Sequence, residues 1–162
     1  MRKESFIDID VGIEHVFDHL MNIEDYPRFL DHVEKVEDLG DYRYRWHIND
    51  RHGARQCEYE LVDVRKHALV SWRNLDQPED GGRVRLHAHG PSRTRVNLTL
   101  ECHARGDDTE RERDLKRRTQ TALVCFMDYV ETRLLDADDP DADAHPPAYG
   151  EAKRPPPKSD PA

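Results

Sequence analysis

Apolar and polar residues alternate through most of the first hundred positions, and the period changes in only a few places. Ile7, Ile9 and Val11 oppose Phe6, Asp8 and Asp10, which predicts a first strand. From Ile13 the spacing becomes helical: Ile13, Val16, Phe17 and Leu20 share a face opposite Glu14, His15, Asp18 and His19, with Asp10 as the expected N-cap. Pro27 then interrupts, because it has no N–H to donate and forces Tyr26 away from helical geometry. Tyr26, Phe29, Leu30 and Val33 follow at helical spacing as a short apolar wedge. Val33, Val36 and Leu39 are three apart, which leaves strand and helix open.

The middle of the chain is clearer. Tyr42, Tyr44, Trp46 and Ile48 alternate with Arg43, Arg45 and His47. Cys57, Tyr59 and Leu61 alternate with Glu58 and Glu60 before Val62 and Val64 switch phase, which predicts a bulge at Leu61-Val62. Ala68 to Trp72 is a short strand, and two more alternate through Val84, Leu86 and Ala88 and through Val96, Leu98, Leu100 and Cys102. Gly40-Asp41, Asp50 to Gly53, Asp80-Gly81-Gly82 and Gly90-Pro91-Ser92 read as turns between them. Short links and one-sided patterns predict a meandering antiparallel sheet with one solvated face. A long helix follows over about 110–135, opened by a Thr109/Glu112 capping box. Leu115, Ala122, Leu123, Phe126, Met127, Val130 and Leu134 fall on one side of it. Its first two turns are almost wholly charged, so burial is expected in the later half.

Beyond Asp136 the pattern stops. Residues 137–162 are acidic and rich in proline and cannot bury enough apolar surface to offset ordering, so residues 1–136 are expected to form one domain and the rest a disordered tail. The net charge of −9 divides into about −4 on residues 136–162 and −5 before them. Arginines are interspersed with acids, so no basic footprint for nucleic acid emerges. No run approaches the roughly 18–20 apolar residues of a membrane span. No signal peptide is evident behind Met1, and Cys57, Cys102 and Cys125 are isolated, which together suggest a cytoplasmic protein with cysteines in the core.

The elbow from Asn22 to Val36 combines with Val70-Ser71-Trp72-Arg73-Asn74-Leu75, Gly82-Arg83-Val84-Arg85-Leu86 and Thr94 to Leu100. In order and spacing these pieces resemble the START-like (SRPBCC) superfamily, with the nearest look to polyketide cyclase/dehydrase and coenzyme-Q-binding-type families. The resemblance covers roughly residues 4–135. It implies an α+β helix-grip fold: a curved antiparallel sheet of about seven strands wrapped round a long C-terminal helix, with two short helices after the first strand. It also assigns 33–39 to a strand and implies a cavity for a small, largely apolar molecule. Aromatase/cyclase members place a tyrosine after the elbow and an arginine with a serine on the fourth strand. Those places fall near Val33, Leu61 and Asp63, which cannot donate to a polyketide carbonyl.

Candidate chemistry is sparse. Tyr44, Trp46, Tyr59 and Trp72 lie on the apolar faces of three neighbouring strands, and rings of that size serve either as core or as pocket wall. With Leu86, Leu98 and Phe126 they are the candidate ligand-binding residues. His15/His19 and His87/His89 have two-ligand spacings without a third ligand or a catalytic HExxH pattern, so no metal is expected, and no cofactor. Arg73 and Asn74 end a strand where a cavity mouth would lie, and Gly81-Gly82 reads as a turn. No nucleophile elbow, phosphate loop or dinucleotide fingerprint occurs. Ligand binding without catalysis leads, ahead of a cyclase/dehydratase and a protein- or ribosome-interaction module.

Overall fold

The computed structural model describes residues 1–103 and 109–137, with side chains to Leu134. The expected tail therefore lies outside the described residues. Seven strands form one antiparallel sheet: β1 (Arg2–Ile9), β2 (Val33–Gly40), β3 (Arg43–Asp50), β4 (Gly53–Arg65), β5 (Leu69–Asn74), β6 (Gly81–Ala88) and β7 (Thr94–Glu101). Their order is β1-β7-β6-β5-β4-β3-β2, so β2 to β7 meander and β1 adds to the far edge. Two α-helices, α1 (Ile13–Met21) and α2 (Thr109–Ala137), complete the helix-grip arrangement, with a 3-10 turn over Ile23–Arg28.

Irregular register produces the phase changes seen in the sequence. The β4–β5 register shifts between Leu61 and Asp63, so Leu61 and Val64 both reach the core and Val62 is turned outward. A second shift, between Val33 and Lys35, gives Val33 and Val36 the same inward face despite their odd spacing. Val33 thus belongs to β2 and not to the wedge that precedes it.

Local chemistry sets the helical elements. Gly12, not Asp10, is the N-cap of α1, and its carbonyl accepts the Val16 N–H at 3.1 Å. Asp10 stands 3.7 Å from Arg93 instead. A methyl on Gly12 would meet the Pro91 carbonyl at 2.8 Å, so the tight fit under α1 excludes a side chain there. The second short helix is 3-10 because Pro27 lies inside it. In α2, Leu115 and Thr119 are buried along with Leu123, Phe126 and Val130, so the helix is anchored from its early turns as well. Thr119 tolerates burial because its hydroxyl donates within the helix, with Leu115 and Lys116 carbonyls at 2.7 and 2.8 Å. Glu112 pairs with Lys3 of β1 at 2.5 Å.

The solvated sheet face is laced with ion pairs such as Arg45 with Glu37 and Glu58. Asp8 takes both arms of Arg95, at 2.9 and 3.1 Å, and that guanidinium holds its carboxyl below the usual range. No helix among the described residues is long and apolar enough to cross a membrane.

Candidate functional site

Between the inner sheet face and α2 lies a cavity of about 190 Å³. Strand alternation brings Tyr44 and Trp46 from β3, Tyr59 and Leu61 from β4, and Val70 and Trp72 from β5 to its wall. Val84, Val96, Leu98 and Leu100 continue that wall, Ala122, Leu123 and Phe126 of α2 close it, and Leu20 to Leu30 cap one end.

Rings form a continuous run around it. Tyr59 meets Trp46 at 5.5 Å between centroids, Trp46 meets Tyr26 at 5.6 Å, and Tyr26 meets Phe29 at 5.3 Å. Phe29 then reaches Phe126 at 5.6 Å, linking the sheet to α2 through the 3-10 turn. These tilted and edge-on contacts fix ring orientations more tightly than aliphatic packing would.

Trp72 owes its place to Gly82. The two residues pair across β5 and β6, and a methyl on Gly82 would stand 2.7 Å from indole Cζ2 and 2.6 Å from the Thr99 carbonyl oxygen. Only a residue without a side chain lets the indole lie over that strand. Gly81 and Gly82 are accordingly the first residues of β6 and not a turn.

Few polar groups reach this surface. The Tyr26 hydroxyl donates to the Leu20 carbonyl at 2.5 Å and so ties the turn to α1. Burial pushes the Tyr26, Tyr44 and Tyr59 phenols above the ordinary tyrosine value, so all three stay protonated donors. Asn74 is buried, and its Oδ1 accepts the N–H groups of Asp76 and Gln77 at 2.8 and 3.0 Å. Arg73, its neighbour, is exposed. At the rim stand His32 and Arg118, and burial, reinforced by the Arg118 charge, keeps His32 below the usual histidine range.

Six of the seven candidate residues line the cavity: Tyr44, Trp46, Tyr59, Trp72, Leu98 and Phe126. Leu86 does not; it is buried in the same core away from the cavity, on the strand that α1 packs against. Tyr26, Phe29, His32 and Arg118 were missed. The first two belonged to the apolar wedge, whose spacing signalled burial without a partner. Arg118 sits three residues beyond Leu115 and four before Ala122, so helical spacing places it beside the apolar stripe.

The histidine pairs stay apart from the cavity. His87 and His89 are exposed on the outer face. His19 is half-buried and packs edge-on to Tyr129 at 5.7 Å, and burial lowers its pKa to about 4. Among the described residues no three His, Cys, Asp or Glu side chains gather as a metal site. Val33 is core, Leu61 is cavity wall and Asp63 pairs outward with Arg65 at 3.5 Å, so none offers a donor to the cavity.

No protein-family model matches the chain. It is similar, at 24% identity over 137 residues, to an uncharacterized 17.2 kDa protein of Streptomyces lincolnensis encoded in the melC2-rnhH intergenic region; 82% of this chain and 91% of that protein align. Among solved structures, Zhui aromatase/cyclase from a Streptomyces species superposes with a TM-score of 0.71 at 17% identity, covering 83% of this chain and 95% of its own. A START superfamily protein from Mycobacterium smegmatis superposes at 0.70 with 13% identity, covering 81% and 97%. The fold is START-like. At these identities the START-like likeness concerns architecture, and the side chains in the cavity are this chain's own.

Proposed function

We propose that the protein binds a small, largely apolar, ring-bearing molecule in the cavity under α2, in a cytoplasmic setting, and does not transform it. The observation that carries this reading is the aromatic-lined apolar cavity, which has one face from the sheet and one from the helix. Tyr44, Trp46, Tyr59, Trp72, Leu98 and Phe126 are the proposed contacts. An apolar protein cavity of about 150 Å³ holds a benzene ring, so 190 Å³ suits one ring or two fused rings and excludes a tetracyclic product without rearrangement. The neighbour named as an aromatase/cyclase supports an aromatic occupant. The absence of a donor at Val33, Leu61 and Asp63 argues against cyclisation by that route.

Native mass spectrometry of the purified protein, followed by tryptophan fluorescence titration with one- and two-ring aromatics, tests the proposal. Expected are a retained small molecule or saturable quenching with a stoichiometry near one, and recovery of every ligand unaltered. A panel that leaves both tryptophans unchanged would sink the cavity reading, and a product of altered mass would convert it to an enzyme.

A further inference from the structure

The cavity wall is apolar except at one rim, and that exception carries information about the occupant. Arg118 is the sole charged side chain among the lining residues. A guanidinium stays ionised at any physiological pH and presents a planar fork of donors suited to a carboxylate. Several basic groups near this end of the helix are committed: Arg51 and Arg117 both hold Asp114, and Lys3 holds Glu112. Arg118 has no ion-pair partner among the described residues. It lines the cavity while remaining exposed to solvent, and its charge acts on both His32 and the Tyr59 phenol.

The nearby acids do not satisfy it. Asp50 is paired with Arg55 at 2.9 Å, and Asp31 is exposed and forms no ion pair with Arg118. His32 stands at the same rim and is uncharged near neutral pH, so it supplies a hydrogen-bonding ring nitrogen without a second positive charge.

Resting on the proposed binding role, we infer that the ligand is an amphipathic acid: a one- or two-ring apolar body held among Trp46, Trp72 and Phe126, with a carboxylate at the rim against Arg118 and His32. The apolar body supplies affinity through burial, and the charge fixes which end enters first. A neutral ring compound would enter the same space without orientation, and a cationic one would meet Arg118 unfavourably.

Isothermal calorimetry with 2-naphthoate, 2-naphthamide and 2-naphthylmethylamine separates these cases, because the three share one ring body and differ in charge. The wild-type protein should bind 2-naphthoate about tenfold more tightly than the amide, with the amine weakest. Raising the salt concentration should shrink the acid's advantage and leave the amide unaffected. Arg118→Gln should abolish the preference for the acid while leaving amide affinity within about twofold, and Arg118→Lys should retain part of it. The inference is overturned if the amide binds as tightly as the acid, or if Arg118→Gln leaves the tenfold preference intact. In both of those outcomes the amide still binds, so the cavity reading survives. If none of the three binds, the cavity reading and this inference fall together.

Discussion

Gly82→Ala puts the close packing of the cavity wall to a quantitative test. The added methyl would lie 2.6 Å from the Thr99 carbonyl oxygen, 2.7 Å from Trp72 Cζ2 and 3.1 Å from Leu100 Cδ2. The carbonyl is strand backbone, paired in the β6–β7 ladder, and cannot swing aside as a side-chain end would. Either the two strands separate locally or the indole leaves its seat. Overpacking of this kind costs about 1–3 kcal/mol. Opposing it, alanine restricts the unfolded chain and returns about 0.4–1 kcal/mol. The net expectation is a loss of about 1–2 kcal/mol, seen as a fall in Tm of about 2–8 °C. Urea denaturation followed by circular dichroism measures the loss, and the near-ultraviolet spectrum reports the displaced indole. Trp72→Phe removes the Cζ2 that the methyl strikes, so the double variant should be more stable than the sum of the two single losses predicts, by about 1 kcal/mol. A Gly82→Ala protein as stable as wild type, or losses that add to within about 0.5 kcal/mol, would refute the claim that this glycine seats the ring.

Three further outcomes are expected. His19 stays neutral in the folded protein to about pH 4 but titrates near 6.5 when unfolded, so the unfolded chain binds more protons between those values. Stability should therefore fall as pH drops from about 6.5 to about 4, by on the order of 2 kcal/mol, and His19→Gln should flatten that slope in urea titrations; an unchanged slope would show that His19 is not its source. Thr94 is fully buried and its hydroxyl donates to the Val11 carbonyl at 2.8 Å, so Thr94→Val should lower the urea midpoint by an amount equivalent to about 1–2 kcal/mol with an unchanged m-value. Trp46→Phe should weaken two-ring ligands several-fold through lost apolar contact at about 25 cal/mol per Å², while Tyr44→Phe should affect only ligands with a polar group facing β3, both read by calorimetry on folded protein.

Legibility varied with how directly a residue's role is written into local spacing. The Leu61-Val62 bulge could be read because two alternating runs of opposite phase meet there, each long enough to define its own face. The corresponding shift in β2 could not, because its apolar residues are three apart and the second phase has no run of its own. Tyr44, Trp46, Tyr59 and Trp72 were visible as one-sided aromatics, but the seat of Trp72 was not. Gly82 looked like turn chemistry, and its real constraint comes from a ring on the neighbouring strand. Asp10 is not the cap: Gly12 takes that place, and the exposed Asp10 stands near Arg93, more than eighty residues away. Arg118 lies beside the apolar stripe of α2 by helical spacing, but nothing in the sequence singles it out. Only the position of α2 over the sheet makes it part of the cavity.

The pairing of β1 with β7 has a consequence for how the chain is made. Every other ladder joins neighbours in sequence, so β2 to β7 can zip as successive hairpins while the chain lengthens. β1 emerges first but its partner is among the last strands: Arg2 faces Glu101 and Ile9 faces Thr94. During synthesis at about 5–20 residues per second, β1 therefore waits several seconds as an unpaired strand. Its outward side carries Arg2, Glu4 and Asp8 along with Phe6, and charges on an open edge discourage pairing with another nascent copy. α2 follows β7 and packs on β1 as well as β7, so this helix clamps in place the earliest-made of the seven strands.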